Sequence, residues 1–156
     1  MRKYLEKMGL NKFRQNSTFL YLVCDVWILG YVYKKFTNPE TMDLMIKVAA
    51  EQQQLDKTHI KQLYQLMTQS LILMLVLVGF VHLINYILYN KNKKVAFAYL
   101  VFYSWTASIG TALWGLSLLG SHFIPGIVFL AVSGVFFFNA MGLRVFPHQE
   151  QELKKS

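Results

Sequence analysis

The chain has 156 residues, of which 54% are hydrophobic, 15% aromatic and 15% charged, and its net charge is +8. A soluble domain of this length would not carry four long apolar runs, which excludes a purely aqueous fold. The basic residues flank those runs without any recognition motif, which points to membrane orientation and away from nucleic acid, and the single cysteine, Cys24, excludes an intrachain disulfide and any Cys-x-x-Cys site.

Residues 1–16 carry Arg2, Lys3, Lys7, Lys12 and Arg14 against Glu6. Leu5, Met8 and Phe13 lie loosely on one side of a helical wheel, which allows a short amphipathic helix on an anionic surface. The simpler expectation is a basic tail that holds the N-terminus inside. The first apolar run, residues 18–33, is the shortest of the four. No small-x-small cleavage site follows it, because Tyr31-Val32-Tyr33-Lys34-Lys35 is bulky and charged, so it is expected to remain as a transmembrane helix. Asp25 lies at its centre, and a centrally charged span needs a partner.

The organising stretch runs from Pro39 to Tyr89. It opens with Asn38-Pro39-Glu40: a capping side chain, a proline at the first helical position, then an acid near the positive helix end. Residues 39–68 are polar and charged, and residues 71–89 are nearly all apolar. One helix, or two almost collinear ones, would measure about 75 Å against roughly 30 Å of hydrocarbon, so the polar half is expected to project into water. On its wheel Asp43, Lys47, Glu51, Gln54, Thr58, Lys61 and Gln65 share a polar face. Met45, Ile60, Leu63 and Met67 lie on the apolar side and are the expected contacts to another subunit, with the chain's own N-terminal segment or a protein partner docking on 39–68 as alternatives. Gln52, Gln53, Asp56 and His59 interrupt the heptads of this polar half, which argues against a coiled coil there.

The second span, residues 71–89, carries His82 and Asn85 three residues apart on one face. Asn90-Lys91-Asn92-Lys93-Lys94 then reads as a tight basic turn. The third span, residues 95–119, spaces Ser104, Ser108 and Ala112 by four, and Ala107, Thr111 and Gly115 likewise. Small residues at this spacing let helices approach closely, so this helix is expected at the centre of its bundle with Trp105 and Trp114 facing elsewhere. The fourth span, residues 123–143, has Pro125 in its first turn, where proline is tolerated, and is stopped by Pro147. Val135-Phe136-Phe137-Phe138 reads as a bulky surface toward lipid or a neighbouring subunit.

With both termini inside, the inner segments hold Arg2, Lys3, Lys7, Lys12, Arg14, Lys91, Lys93, Lys94, Arg144, Lys154 and Lys155. The outer segments hold Lys34, Lys35, Lys47, Lys57 and Lys61, offset by Glu40, Asp43, Glu51 and Asp56. The positive-inside rule therefore places both termini in the cytoplasm, and the long helix outward, as in a bacterial inner membrane.

No P-loop, Gly-x-Gly-x-x-Gly, His-Glu-x-x-His or Gly-x-Ser-x-Gly motif occurs, so no catalytic constellation is expected. His59, His82, His122 and His148 fall at different depths of this topology, and the spacing of Met42, Met45, Met67 and Met74 is that of an apolar helix stripe. No metal or cofactor is therefore expected. Asp25, His82 and Asn85 remain as intramembrane polar residues, and such groups mark an ion pathway, a proton relay or a structural pair. In outline, four spans with internal termini resemble large-pore channels such as connexins, and four short spans with an acid in the first resemble small multidrug exporters. Neither resemblance rests on a motif, so no function carries over.

The sequence thus predicts an all-α, single-domain membrane protein of four transmembrane helices, the second preceded by a long helix that leaves the membrane. One chain of four spans has little room for an aqueous route, so the expected function is a homo-oligomeric pore or ion-conducting protein in contact with lipid. A membrane accessory or scaffold protein, and a small proton-coupled transporter, are the competing expectations.

Overall fold

The computed structural model describes Leu5 and residues 7–53 and 57–146. The described residues form five helices and no strand: α1 (Leu10–Phe36), α2 (Pro39–Gln53), α3 (Lys57–Asn90), α4 (Lys94–Leu118) and α5 (Phe123–Val145). Three are long and apolar enough to cross a membrane, over His59–Asn90, Lys94–Leu118 and Phe123–Val145. The chain is therefore read as an integral membrane protein. α1 has the length, 27 residues, but its apolar run, residues 18–33, is interrupted by Asp25 and carries three tyrosines, and it is not one of the three. Whether 39–89 is one helix or two turns on residues 54–56, which lie outside the described residues, as does Pro147.

Local chemistry sets the helix ends. The Glu40 amide donates to the Asn38 side-chain oxygen at 3.3 Å and the Met42 amide to the Asn38 carbonyl at 3.0 Å, as expected of a cap followed by proline. α3 ends where Asn92 turns to φ 58°, a left-handed conformation that asparagine tolerates better than most side chains. The Lys91 and Lys93 amides reach back to the carbonyls of Ile87 and Leu88, so α3 closes with its last carbonyls satisfied.

The chain forms two compact units, Met1–Cys24 with Ile84–Ser156, and Asp25–Leu83. In the first, α4 and α5 pack together across a short turn. Ser104, Ser108, Thr111 and Gly115 are buried and Ala107 and Ala112 half-buried, so the small-residue stripe is the packed face of α4. At its narrowest point a side chain on Gly115 would meet the Gly126 carbonyl oxygen at 3.0 Å, and one on Gly126 would meet the Gly115 carbonyl oxygen at 3.0 Å. A side chain on either glycine would require the facing helix to give by a few tenths of an ångström.

Two sequence-based expectations are corrected in this unit. Phe136 does not face outward: it is 0% exposed, against Tyr21 and edge-on to Tyr103, while Phe137 is exposed and Phe138 half-buried. Trp105 and Trp114 are not on the buried face of α4: Trp114 is 42% exposed beside Phe129, and Trp105 is half-buried and meets Phe137 edge-on. Residues 10–16 are not a tail. They are the opening turns of α1, and Phe13 packs against Phe138 and Phe146 over Gly142, where an added Cβ would overlap the Phe13 ring.

In the second unit, Met42 and Ile46 bury one face of α2 and leave Leu44 and Val48 exposed. Ile60, Leu63, Tyr64, Met67, Leu71, Leu75, Gly79 and His82 form a half-buried stripe along α3. Leu66, Leu73, Leu77 and Phe80 stand exposed on the opposite side.

Candidate functional site

The second unit brings two titratable side chains together between α1 and α3. α1 presents Asp25 and α3 presents His82, with Asp25 Oδ2 2.8 Å from His82 Nδ1. Their side chains are 7% and 14% exposed. One turn further along α1, Leu29 lies against Gly79, so α3 offers no side chain of its own there and the two helices can approach. An ionised group in such apolar company is costly unless paired, and here each supplies the other's partner.

The geometry allows two proton inventories. With one proton, neutral His82 donates Nδ1–H to the Asp25 carboxylate and the couple carries a net charge of −1. With two, the same bond is either imidazolium to carboxylate or carboxylic acid to imidazole, and the couple is neutral. The two inventories differ by one unit in the charge held between α1 and α3.

The remaining intramembrane candidate, Asn85, is half-buried on α3. Among the subunit-contact candidates Met45 is 36% exposed, whereas Ile60, Leu63 and Met67 are half-buried within the chain itself. No group of three or more His, Cys, Asp or Glu side chains suited to a metal occurs among the described residues. Cys24 is buried.

The first unit holds polar pairs that sequence reasoning did not find. The Ser17 hydroxyl donates to Asn139 Oδ1 at 3.1 Å across 122 residues of sequence. The Tyr21 and Ser104 hydroxyls are bonded to each other, and Ser104 Oγ donates to the Leu100 carbonyl at 2.6 Å, which leaves Tyr21 as donor to Ser104. Ser133 Oγ donates to the Ser108 carbonyl at 2.8 Å. These bonds join helix to helix and serve as locks between them, with the Asn139 side-chain nitrogen left without a partner.

A second missed feature was legible as a period of seven. Leu63, Ser70, Leu77 and Ile84, with Leu66, Leu73, Phe80 and Ile87, fall on the a and d positions of consecutive heptads along α3. All but Leu63 are exposed, on the side of α3 away from its half-buried stripe. Only 6% of the apolar window of α3 is buried in the chain, against 28% for α4 and 33% for α5.

Comparison with protein-family models, with curated proteins and with solved structures gave no match.

Proposed function

We propose that the chain is a four-span inner-membrane protein with cytoplasmic termini, that it assembles with copies of itself through α3, and that the assembly conducts ions under the control of the Asp25–His82 couple. The bond between these two residues carries the reading. It ties α1, whose own hydropathy falls short of a span, to a helix that qualifies as one, and it supplies the partner that a mid-span acid requires. A change of charge on the couple would have a large electrostatic reach between apolar helices, which is why the couple is offered as the control point. The exposed heptad seam of α3 supports assembly, since left-handed helix contacts in membranes use this repeat.

Ion flux into liposomes reconstituted with purified protein tests the proposal. Wild-type protein should pass protons or monovalent cations; Asp25→Asn and His82→Gln should each change the flux or its dependence on pH while particle size stays the same. Coupled residues should give a double variant no worse than the more severe single one. Absence of flux from assembled wild-type protein would refute conduction. Equal loss of thermal stability and flux in both variants would reduce the couple to a structural lock. Orientation is tested separately: Asp43→Cys, on a Cys24→Ser background, should be labelled from outside intact cells.

One observation favours a second reading, an accessory protein that docks a partner through its outer helix. Leu44 and Val48, one turn apart on α2, are 68% and 54% exposed, with Met45 between them. Asp substitutions at Leu44 and Val48 would remove partner binding on this reading and leave flux untouched on the first.

A further inference from the structure

We infer that the cleft between the start of α1 and the end of α3 is a binding site for the head group of an anionic phospholipid. The cleft has a volume of about 560 Å³, within the range of small-molecule sites. Asn11, Arg14, Gln15, Thr18, Phe19 and Leu22 line it from α1, and Asn90 from α3. The α1 residues recur every three or four positions, so one helical face supplies them over about 16 Å.

The lining changes character along that face. Its first four positions carry two amides, a guanidinium and a hydroxyl, whereas Phe19 and Leu22 are apolar and exposed. Asn90 marks where the apolar run of α3 ends, so the polar half sits at the level where hydrocarbon gives way to water. A molecule that fits both halves has a polar head and an apolar tail, and a free anion would use only one of them.

Charge selects the kind of head. Among the described residues, the lining contains Arg14 and no acidic residue. Arg14 is buried, with its guanidinium stacked 5.3 Å from the centre of the Tyr89 ring, which holds the charge in place. A guanidinium with amide donors beside it matches phosphate oxygens. Thr18 donates to Asn90 Oδ1 at 3.4 Å, which leaves the Asn90 amide hydrogens as further donors. The end of α3 contributes roughly half a negative charge from its dipole, and Lys91, Lys93 and Lys94 in the adjoining turn outweigh it. Anionic phosphate is favoured over zwitterionic choline heads, whose ammonium finds no carboxylate in the lining.

The test uses the full chain, delipidated in mild detergent and titrated with phosphatidylglycerol, phosphatidylcholine or inorganic phosphate, with thermal unfolding and native mass spectrometry as readouts. Phosphatidylglycerol should bind at least tenfold more tightly than phosphatidylcholine and raise the unfolding temperature. Inorganic phosphate should not bind at matched concentration. Arg14→Gln should lower the affinity for phosphatidylglycerol at least tenfold. Because Arg14 also packs on Tyr89, the second variant is Gln15→Glu, a near-isosteric change at an exposed position that should unfold like wild type without lipid and still lose phosphatidylglycerol binding. Equal binding of both lipids, or retention by Gln15→Glu, would overturn the assignment. Inorganic phosphate binding as tightly as phosphatidylglycerol would overturn the lipid as occupant. None of these outcomes depends on ion conduction.

Discussion

The close approach of α4 and α5 makes a sharp quantitative prediction. An alanine at Gly115 would put its Cβ 3.0 Å from the Gly126 carbonyl oxygen and 3.1 Å from the Leu130 amide nitrogen, inside the 3.4–4 Å of ordinary contact. Both neighbours are backbone, so the helices themselves must part by a few tenths of an ångström. Overpacking of this kind costs about 1–3 kcal/mol, while the better helix propensity of alanine returns about 1 kcal/mol. Gly110 on α4 and Gly134 on α5 have nothing within 4 Å of an added Cβ, so alanine there keeps the propensity gain alone. The informative quantity is the difference between Gly115→Ala and Gly110→Ala, about 1–3 kcal/mol in favour of the latter, or about 2–12 °C in unfolding temperature for a chain of this size. Circular dichroism melts of the two variants in one mild detergent measure it. Gly126→Ala should behave like Gly115→Ala, and the pair should cost less than the sum, because one separation of the helices relieves both contacts. Equal melting of Gly115→Ala and Gly110→Ala would refute the close packing.

Two further predictions concern the polar locks. Tyr21→Phe removes the hydroxyl bonded to Ser104 and should destabilise by about 0.6 kcal/mol and at most ~1.7 kcal/mol, with Ser104→Ala adding little on top, as thermal melts of the double variant would show. Ser17→Ala should cost more, about 1–3 kcal/mol, because the fully buried Asn139 already has no hydrogen-bond partner for its side-chain nitrogen and would then lose the one for its oxygen. Asn139→Ala in that background should recover part of the loss, and a further fall in stability would contradict the account.

The sequence exposes rare residues better than faces. Asp25 and His82 were legible because a titratable side chain inside an apolar run needs a reason to be there, and the structure bonds them at 2.8 Å. The stripe from Ser104 to Gly115 was legible because small residues at helical spacing contrast with their neighbours. Phe136 was misplaced for the opposite cause. In a run that is apolar on every side the wheel has no polar face to mark outside from inside, so bulk alone cannot say whether a ring meets lipid or a neighbouring helix. The start of α1 was obscured by Lys12 and Arg14, whose charges read as a tail; the structure buries Arg14 and takes the helix back to Leu10. Ser17 and Asn139 stand 122 positions apart, and nothing local to either reports the other.

The bareness of α3 does not by itself call for a protein partner. In water its exposed leucines would cost about 1.5–3 kcal/mol each, but lipid tails cover them at no such cost, and helices associate in membranes through packing and polar contacts. What distinguishes self-assembly from lipid cover is therefore periodicity. If copies of α3 pack, contact should recur about every 3.5 residues, at Leu66, Leu73, Leu77, Phe80 and Ile84, while Ile72, Met74, Val76 and Val81, which are equally exposed, should stay clear. Single cysteines at these nine positions on a Cys24→Ser background would read this out, by oxidative cross-linking in membranes. Knobs as large as Leu and Phe do not permit the close approach seen between Gly115 and Gly126, so the expected contact is a left-handed one at a shallow crossing angle, and Ser70, the one small residue of the seam, should cross-link too. Cross-linking that follows the seam and skips the four control positions supports an oligomer built on α3. Cross-linking without period, or none, would leave lipid as the only cover for this helix and remove the structural ground for a pore made by several subunits.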